Sequence, residues 1–299
     1  MSDDPLPFLD GPWRLSMGLR RLEPDDWLRV DDAHDAQMRL RDRLLAERRA
    51  EVAAALPGSE AGCAETLALL LEFLPERFPE RWTRDGQVMV DRRNGRRVAL
   101  DGEPPLVIAG RLVQEDLCLM RKGPDGYELS AAVLCFPSHW RLAEKLGRPM
   151  AGIHAPVPAF GERLGPTVDR FMAGLDADRP VWRVNWSITE TDELFLPGDR
   201  AQRAFDPAEP VGSGLFLRLE RQTLRRLPQS GDILFTIHTS VRPLGDAIVR
   251  PDHAAALAAR IREMPERMSR YKGFHLMGMP LLAWLDRLAA AQVRVAAPG

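Results

Sequence analysis

An α+β fold, built on an antiparallel sheet of five or more strands with helices before, within and after it, is what this sequence predicts. Three observations lead there. Segments 181–188 and 215–223 alternate apolar and polar residues, the period of a half-buried strand. Two pairs of apolar segments are joined by turn residues, Asn94 with Gly95 and the run Gly123, Pro124, Asp125, Gly126, as in hairpins. The strands cluster and do not take turns with helices, which disfavours a parallel doubly wound sheet.

Residues 1–30, with Pro5, Pro7, Pro12 and Pro24, read as an irregular arm on the core. Asp31 or Asp32 caps a helix whose apolar positions include Met38, Leu44, Leu45 and Val52, and which ends at Pro57 and Gly58. A second helix runs from about 63 to 74 and stops at Pro75, which has no N–H to continue the ladder. Asn94 and Gly95 then sit between the apolar Val88, Val90 and Val98, Leu100 as a hairpin turn, and 116–121 with 127–136 forms the next hairpin. Ser138 caps a short helix over 139–146, closed by Gly147. Residues 148–158, broken by Pro149, Pro156, Pro158 and Gly152, read as irregular. Pro166 opens a helix through Phe171 to Leu175.

Three strands follow. The first puts Trp182, Val184, Trp186 and Ile188 on one face and Arg183, Asn185 and Ser187 on the other. The second opposes Leu215, Leu217 and Leu219 to Arg218, Glu220 and Gln222. The third, 232–241, is apolar and β-branched, and the chain from His253 onward is helical.

A chain of 299 residues with 45% hydrophobic and 28% charged residues can bury a sizeable core and lies far from the disordered class. Its 41 basic and 43 acidic residues are interspersed and leave a net charge of -2, which offers no electrostatic footprint for nucleic acid or an anionic membrane. Cys63, Cys118 and Cys135 have neither the number of a disulfide framework nor the spacing of a zinc or iron–sulfur site. An acidic, Pro-rich beginning and no apolar run of membrane-spanning length lead us to expect a soluble cytoplasmic protein.

No dinucleotide fingerprint, P-loop, hydrolase elbow or HExxH motif is present, so redox chemistry here would draw its electrons from another chain. The most unusual segment is 147–158, in which His154 stands between apolar residues on a Pro-stiffened stretch. A fixed backbone of that kind can present a neutral imidazole to a metal; the plainer reading is a histidine bonded to nearby backbone. His238, on a strand beside Thr236 and Ser240, is the reserve candidate. His139 begins a helix next to Trp140, and His34 and His253 sit at polar helix starts where solvation is expected. The second unusual feature is charge on strands: Arg183 and Asn185 on one, Arg218, Glu220, Arg221 and Gln222 on another. Two readings stand, a solvent-facing side of the sheet or a pocket in which arginines hold carboxylates bidentately and Glu220 holds a cationic amine.

In chain order these segments are Phe136, Pro137, Ser138, His139, Trp140; then Lys145, Leu146, Gly147; then Ile153 to Pro158; then Arg183 to Ser187; then Glu220 to Pro228. Together, over about residues 8–285, they resemble the haem-dependent oxidative N-demethylase alpha-subunit family. The resemblance implies a single PAS-like domain over 1–299, with an N-terminal arm and a C-terminal helical extension, that holds haem b and its iron. It implies oxidative removal of an N-methyl group from a small amine such as dimethylamine, with oxygen consumed and formaldehyde released. Electrons would come from a separate flavin and iron–sulfur reductase chain. The expected site has His154 as the iron ligand and Arg183, Arg218 and Glu220 around the substrate. His238, Asn185 and Arg221 are further cofactor contacts. A haem sensor or binding protein without turnover is the alternative.

Overall fold

The computed structural model describes residues 5–200, 205–206 and 208–291. Ten strands are present among them: β1 Arg20–Arg21, β2 Ala53–Ala55, β3 Trp82–Asp85, β4 Val88–Asp91, β5 Arg97–Ala99, β6 Asp116–Gly123, β7 Gly126–Val133, β8 Val181–Thr189, β9 Phe216–Arg226 and β10 Ile233–Pro243. Seven form one sheet in the order β1-β8-β9-β10-β6-β7-β2, every pairing antiparallel, and β3-β4-β5 form a small second sheet. The fold is therefore α+β, and the four long segments read as strands are neighbours in one antiparallel sheet, as expected. Both hairpins are also where the turn residues put them, with Gly95 and Gly126 at φ +73° and +106°, values that residues with a Cβ rarely adopt.

Strand parity and register decide what each face of the large sheet carries. Asn185 pairs with Glu220, Arg183 with Gln222, Ser187 with Arg218, and Glu220 with Thr239 on the far side. Directly opposed residues share a face, so these polar side chains lie together. Further along the same face Val181, Leu224, Phe235, Cys118 and Met120 are apolar, and the 142–175 segment covers them with Leu142, Phe160, Val168, Met172 and Leu175. The other face is apolar on both flanks. Leu117, Leu119 and Leu234 pack with Leu44, Leu45, Leu70 and Leu74 from helices His34–Glu47 and Glu60–Arg77. Trp186, Ile188, Leu217 and Leu219 pack with Leu257, Ile261, Met277 and Leu281 from helices Pro251–Glu263 and Phe274–Ala290.

Several local expectations are corrected. The helix begun at His34 ends at Glu47; after one more turn the chain becomes the edge strand β2, because Ala53 to Ala55 find partners in β7. Helix Glu60–Arg77 runs through Pro75, which sits in its last turn and interrupts little of the ladder. No helix starts at His139, whose φ of +59° is incompatible with one; the helical turn is Leu142–Lys145. Residues 148–158 contain one helical turn, Met150–Ile153. His34 is 2% exposed, not solvated. Its ring nitrogen lies 2.6 Å from the Arg81 guanidinium, which also meets Asp35 and Asp91 at 2.6 Å each. Arg81 thereby fills the one arrangement of His and carboxylate groups, His34 with Asp35 and Asp91, that is tight enough for a metal among the described residues. No helix among them is long and apolar enough to cross a membrane.

Candidate functional site

The charged face of the sheet is built from β8 and β9. Glu220 accepts long hydrogen bonds from Arg218 Nε at 3.3 Å, Asn185 Nδ2 at 3.3 Å and Gln222 Nε2 at 3.2 Å. Arg218 is wholly buried and also donates to the carbonyls of Phe136 at 2.6 Å and Leu194 at 3.4 Å. Arg183 Nε is buried without a partner, and burial lowers the pKa of its guanidinium against the opposing pull of Glu220. A guanidinium dehydrated but not fully bonded has spare donors for an anionic group.

Two histidines approach this face from the 136–160 segment. That segment is held where β7 ends. Asp116 accepts the N–H groups of Cys135 and Phe136 at 2.8 and 2.9 Å and pairs with the buried Arg41 at 3.0 Å, while Arg218 takes the Phe136 carbonyl. Three residues later His139 is pinned in the left-handed region, its N–H bonded to Leu196 O at 2.8 Å. Such backbone costs energy and persists only when its surroundings impose it. His139 Nε2 is buried with no partner, and burial, with Arg200 and Arg218 close by, lowers its pKa to about 4.

His154 closes the Met150–Ile153 turn. Its Nδ1 lies 3.0 Å from Met150 O, and its ring stacks on Phe160 at 4.4 Å and 13°. A carbonyl oxygen only accepts, so Nδ1 carries the hydrogen and the neutral ring keeps its lone pair on Nε2. Burial lowers the His154 pKa to about 4, with Lys145 and Arg183 pressing the same way. At neutral pH this is an uncharged imidazole of fixed tautomer beside a cationic surface, the form that ligates metals.

The remaining contributors come from far along the chain. β1 covers only two residues of β8, leaving the rest of that edge open. Two cations cap it: Lys272 donates to Trp186 O at 2.6 Å and Arg200 to Ile188 O at 3.2 Å. Burial lowers the Lys272 ammonium to about 8, with Glu220 opposing and Arg183 and Arg200 assisting. Tyr271, about half exposed, lies near Glu220 as well.

Of the residues singled out in the sequence, Arg183, Asn185, Arg218 and Glu220 therefore meet on one face, with His154 close to Arg183. His238 and Arg221 do not join them. They pair with each other on the opposite face, His238 2% exposed and 3.5 Å from Asp31, Arg221 bonded to the carbonyls of Trp27 and Asp26. There they dock the arm. Sequence reading passed over His139 as a site residue and had no sign of Arg200, Tyr271 or Lys272. A cavity of about 290 Å³ between Trp13 and Leu15 of the arm, residues 158–163 and residues 265–268 shares no lining residue with the charged face.

Fold and site define an α+β protein whose antiparallel sheet carries a buried, Arg-rich face approached by two neutral histidines. The chain belongs to the haem-dependent oxidative N-demethylase, alpha subunit-like family, whose model matches residues 18–282. That span includes all ten strands and every residue of the charged face.

Proposed function

We propose that this chain binds haem b on the charged face, where His154 would hold its iron, and catalyses oxidative N-demethylation of a small methylated amine. The observation that carries this reading is His154: a neutral imidazole whose Nδ1 is committed to Met150 O, leaving Nε2 free to bond a metal. The residues present fit the group. Arg183 Nε and His139 Nε2 are buried polar atoms without partners, and a porphyrin carboxylate or a ligand on iron would satisfy them. The core strands also support a PAS-like reading: numbering β6, β7, β8, β9 and β10 as one to five, the sheet order is 2-1-5-4-3, with the helical cover between the second and third.

When bound, haem supplies the oxidation of an N-methyl group by oxygen. The chain's own residues do the rest. His154 would hold the iron through an imidazole whose tautomer Met150 O sets. Arg183 and Arg218 provide guanidinium donors for carboxylates or for a polar ligand, and Asn185 adds an amide. Glu220 accepts the N–H of the amine and orients it. The 142–175 cover keeps the adjoining part of the face dry, which strengthens each of these contacts. The electrons come from a separate flavin and iron–sulfur reductase chain. The test is formaldehyde release from dimethylamine by haem-loaded protein with an added reductase. The reading predicts amine-dependent release with that partner and none without it; a haem-loaded chain that releases none under any reductant would refute it.

A further inference from the structure

Helix His34–Glu47 has one side against the frame of the charged face and the other in solvent. On the inner side Gln37 Nε2 donates to Thr239 O at 3.0 Å, and Thr239 lies directly across from Glu220. Arg41, also on that side, pairs with Asp116 at 3.0 Å, whose carboxylate holds the Phe136 segment gripped by Arg218. On the outer side Arg39 and Arg43, one turn apart, are exposed and have no ion pair among the described residues. The turn between β4 and β5 brings more of the same charge. Asn94 Nδ2 donates to Asp35 at 3.0 Å and Arg96 to Asp42 at 2.8 Å, so the turn crosses the helix on either side of Arg39. Arg92 and Arg93 stand on that turn, exposed and without a carboxylate partner among the described residues. The nearby carboxylates are committed: Asp35 and Asp91 to Arg81, Asp42 to Arg96 and Arg111, Asp85 to Arg97. Asp32 and Glu47 lie at the two ends of the helix. Residues 81–97 hold six arginines and two aspartates in a chain whose net charge is -2. Beside them Val88 and Val90 are half-buried on the outer face of the small sheet, where Val90 pairs with Thr83 and Arg97.

We propose that the electron-donating partner docks on this surface, and that it is an iron–sulfur protein with an acidic face. The proposal rests on the reading above, which needs a separate donor, and adds where that donor binds. Two features favour this partner. The valines offer apolar surface for a protein to bury, which a polyanion would not use. The helix that carries Arg39 and Arg43 is also the wall behind Thr239 and Asp116, so a donor seated on it is one helix away from the charged face, about 10 Å. One electron passes at each encounter: the reduced cluster is oxidised, ferric iron becomes ferrous, and no atom is transferred.

The probe is a plant-type ferredoxin, a small acidic iron–sulfur protein, used with the full-length chain. Its oxidised form is titrated calorimetrically against the chain without haem, and its reduced form is mixed with the haem-loaded chain in stopped flow, at low and high salt. Arg39→Gln with Arg43→Gln, and Arg92→Gln with Arg93→Gln, should each weaken binding and slow reduction about tenfold at low salt, and flatten the salt dependence. Arg170→Gln with Arg179→Gln removes the same charge from the exposed surface at helix Gly165–Gly174 and should do neither. Dithionite should reduce every loaded protein alike. Equal losses in the control pair, no loss in the first two, or a parent that does not bind ferredoxin would overturn the proposal and leave the haem reading intact. A DNA duplex that binds the parent through the same arginines while ferredoxin does not would overturn it in favour of a polyanion. A chain that takes up no haem, seen in the Soret band, removes the haem reading and the electron-delivery role with it, whatever binds.

Discussion

Glu220→Gln keeps the shape of the side chain and its hydrogen bonding but removes the anion 3.3 Å from a guanidinium with no exposed surface. Breaking a fully buried pair by neutralising one partner costs about 3–5 kcal/mol. Three features reduce that here. The Glu220 side chain keeps 13% of its exposure, its bonds are long, and Arg218 retains the Phe136 and Leu194 carbonyls at 2.6 and 3.4 Å. The expected loss is therefore about 2 kcal/mol, the scale of one hydrogen bond to a charged group. In a chain of 299 residues that lowers the melting temperature by roughly 3 °C. The assay is urea unfolding of the parent, Glu220→Gln, Arg218→Met and the double variant. If the two residues form a desolvated pair, the double variant is less unstable than the sum, with a coupling of about 1–2 kcal/mol. A Glu220→Gln protein within about 0.5 kcal/mol of the parent, with no coupling to Arg218, would return the pair to the solvent-screened surface and refute a buried charged face.

Other outcomes follow from the same structure. His139 and His154 titrate near 6.5 when unfolded and about 4 when folded. The unfolded chain therefore binds more protons between those values, and stability falls as pH drops through that window; urea midpoints that stay level from neutral pH down to about 4.5 would contradict the burial of both rings. With only three lysines, Lys122, Lys145 and Lys272, reductive methylation with a carbon-13 label gives a readable spectrum. The resonance missing from Lys272→Arg should titrate near 8, and a midpoint above about 10 would place that ammonium in water. Gly62→Ala should destabilise by about 1–3 kcal/mol, because its Cβ would collide with Asp232 Oδ2 and come within 2.6 Å of Leu119 Cδ2; an unchanged urea midpoint would mean that helix Glu60–Arg77 does not pack on β6 as described.

Alternation over β8 and β9 was enough to separate the polar from the apolar side chains of each strand, and turn chemistry was enough to find both hairpins. Register was not readable. That Asn185 meets Glu220 depends on how far two strands slide past each other, which no local signal sets. Parity, however, was readable, and it separates Glu220 from Arg221: adjacent strand residues point to opposite faces, so Arg221, and His238 opposite it, belong to the other side of the sheet. The short strands β1, β2 and β3 escaped because two to four residues carry no period and pair only where a long strand offers an edge. His139 was lost to a helix because Ser138 resembles a cap; its positive φ comes from long-range bonds to Leu196 and the grip of Arg218 on Phe136. His34 had the look of a solvated helix start until Arg81 and Asp91, some fifty residues on, folded over it. Lys272 stands about fifty residues beyond Glu220 in sequence, between two helices, with nothing nearby to mark it.

The most direct test is a haemin titration of the parent chain, His154→Ala and His238→Ala, followed through the Soret band in ferric and ferrous states. With His154 as the iron ligand, the parent saturates at about one haem per chain, His154→Ala loses or alters the axial-ligand spectrum, and His238→Ala, changed only beneath the arm, matches the parent. No saturable Soret shift in the parent, or a His154→Ala spectrum identical to the parent while His238→Ala differs, would contradict it.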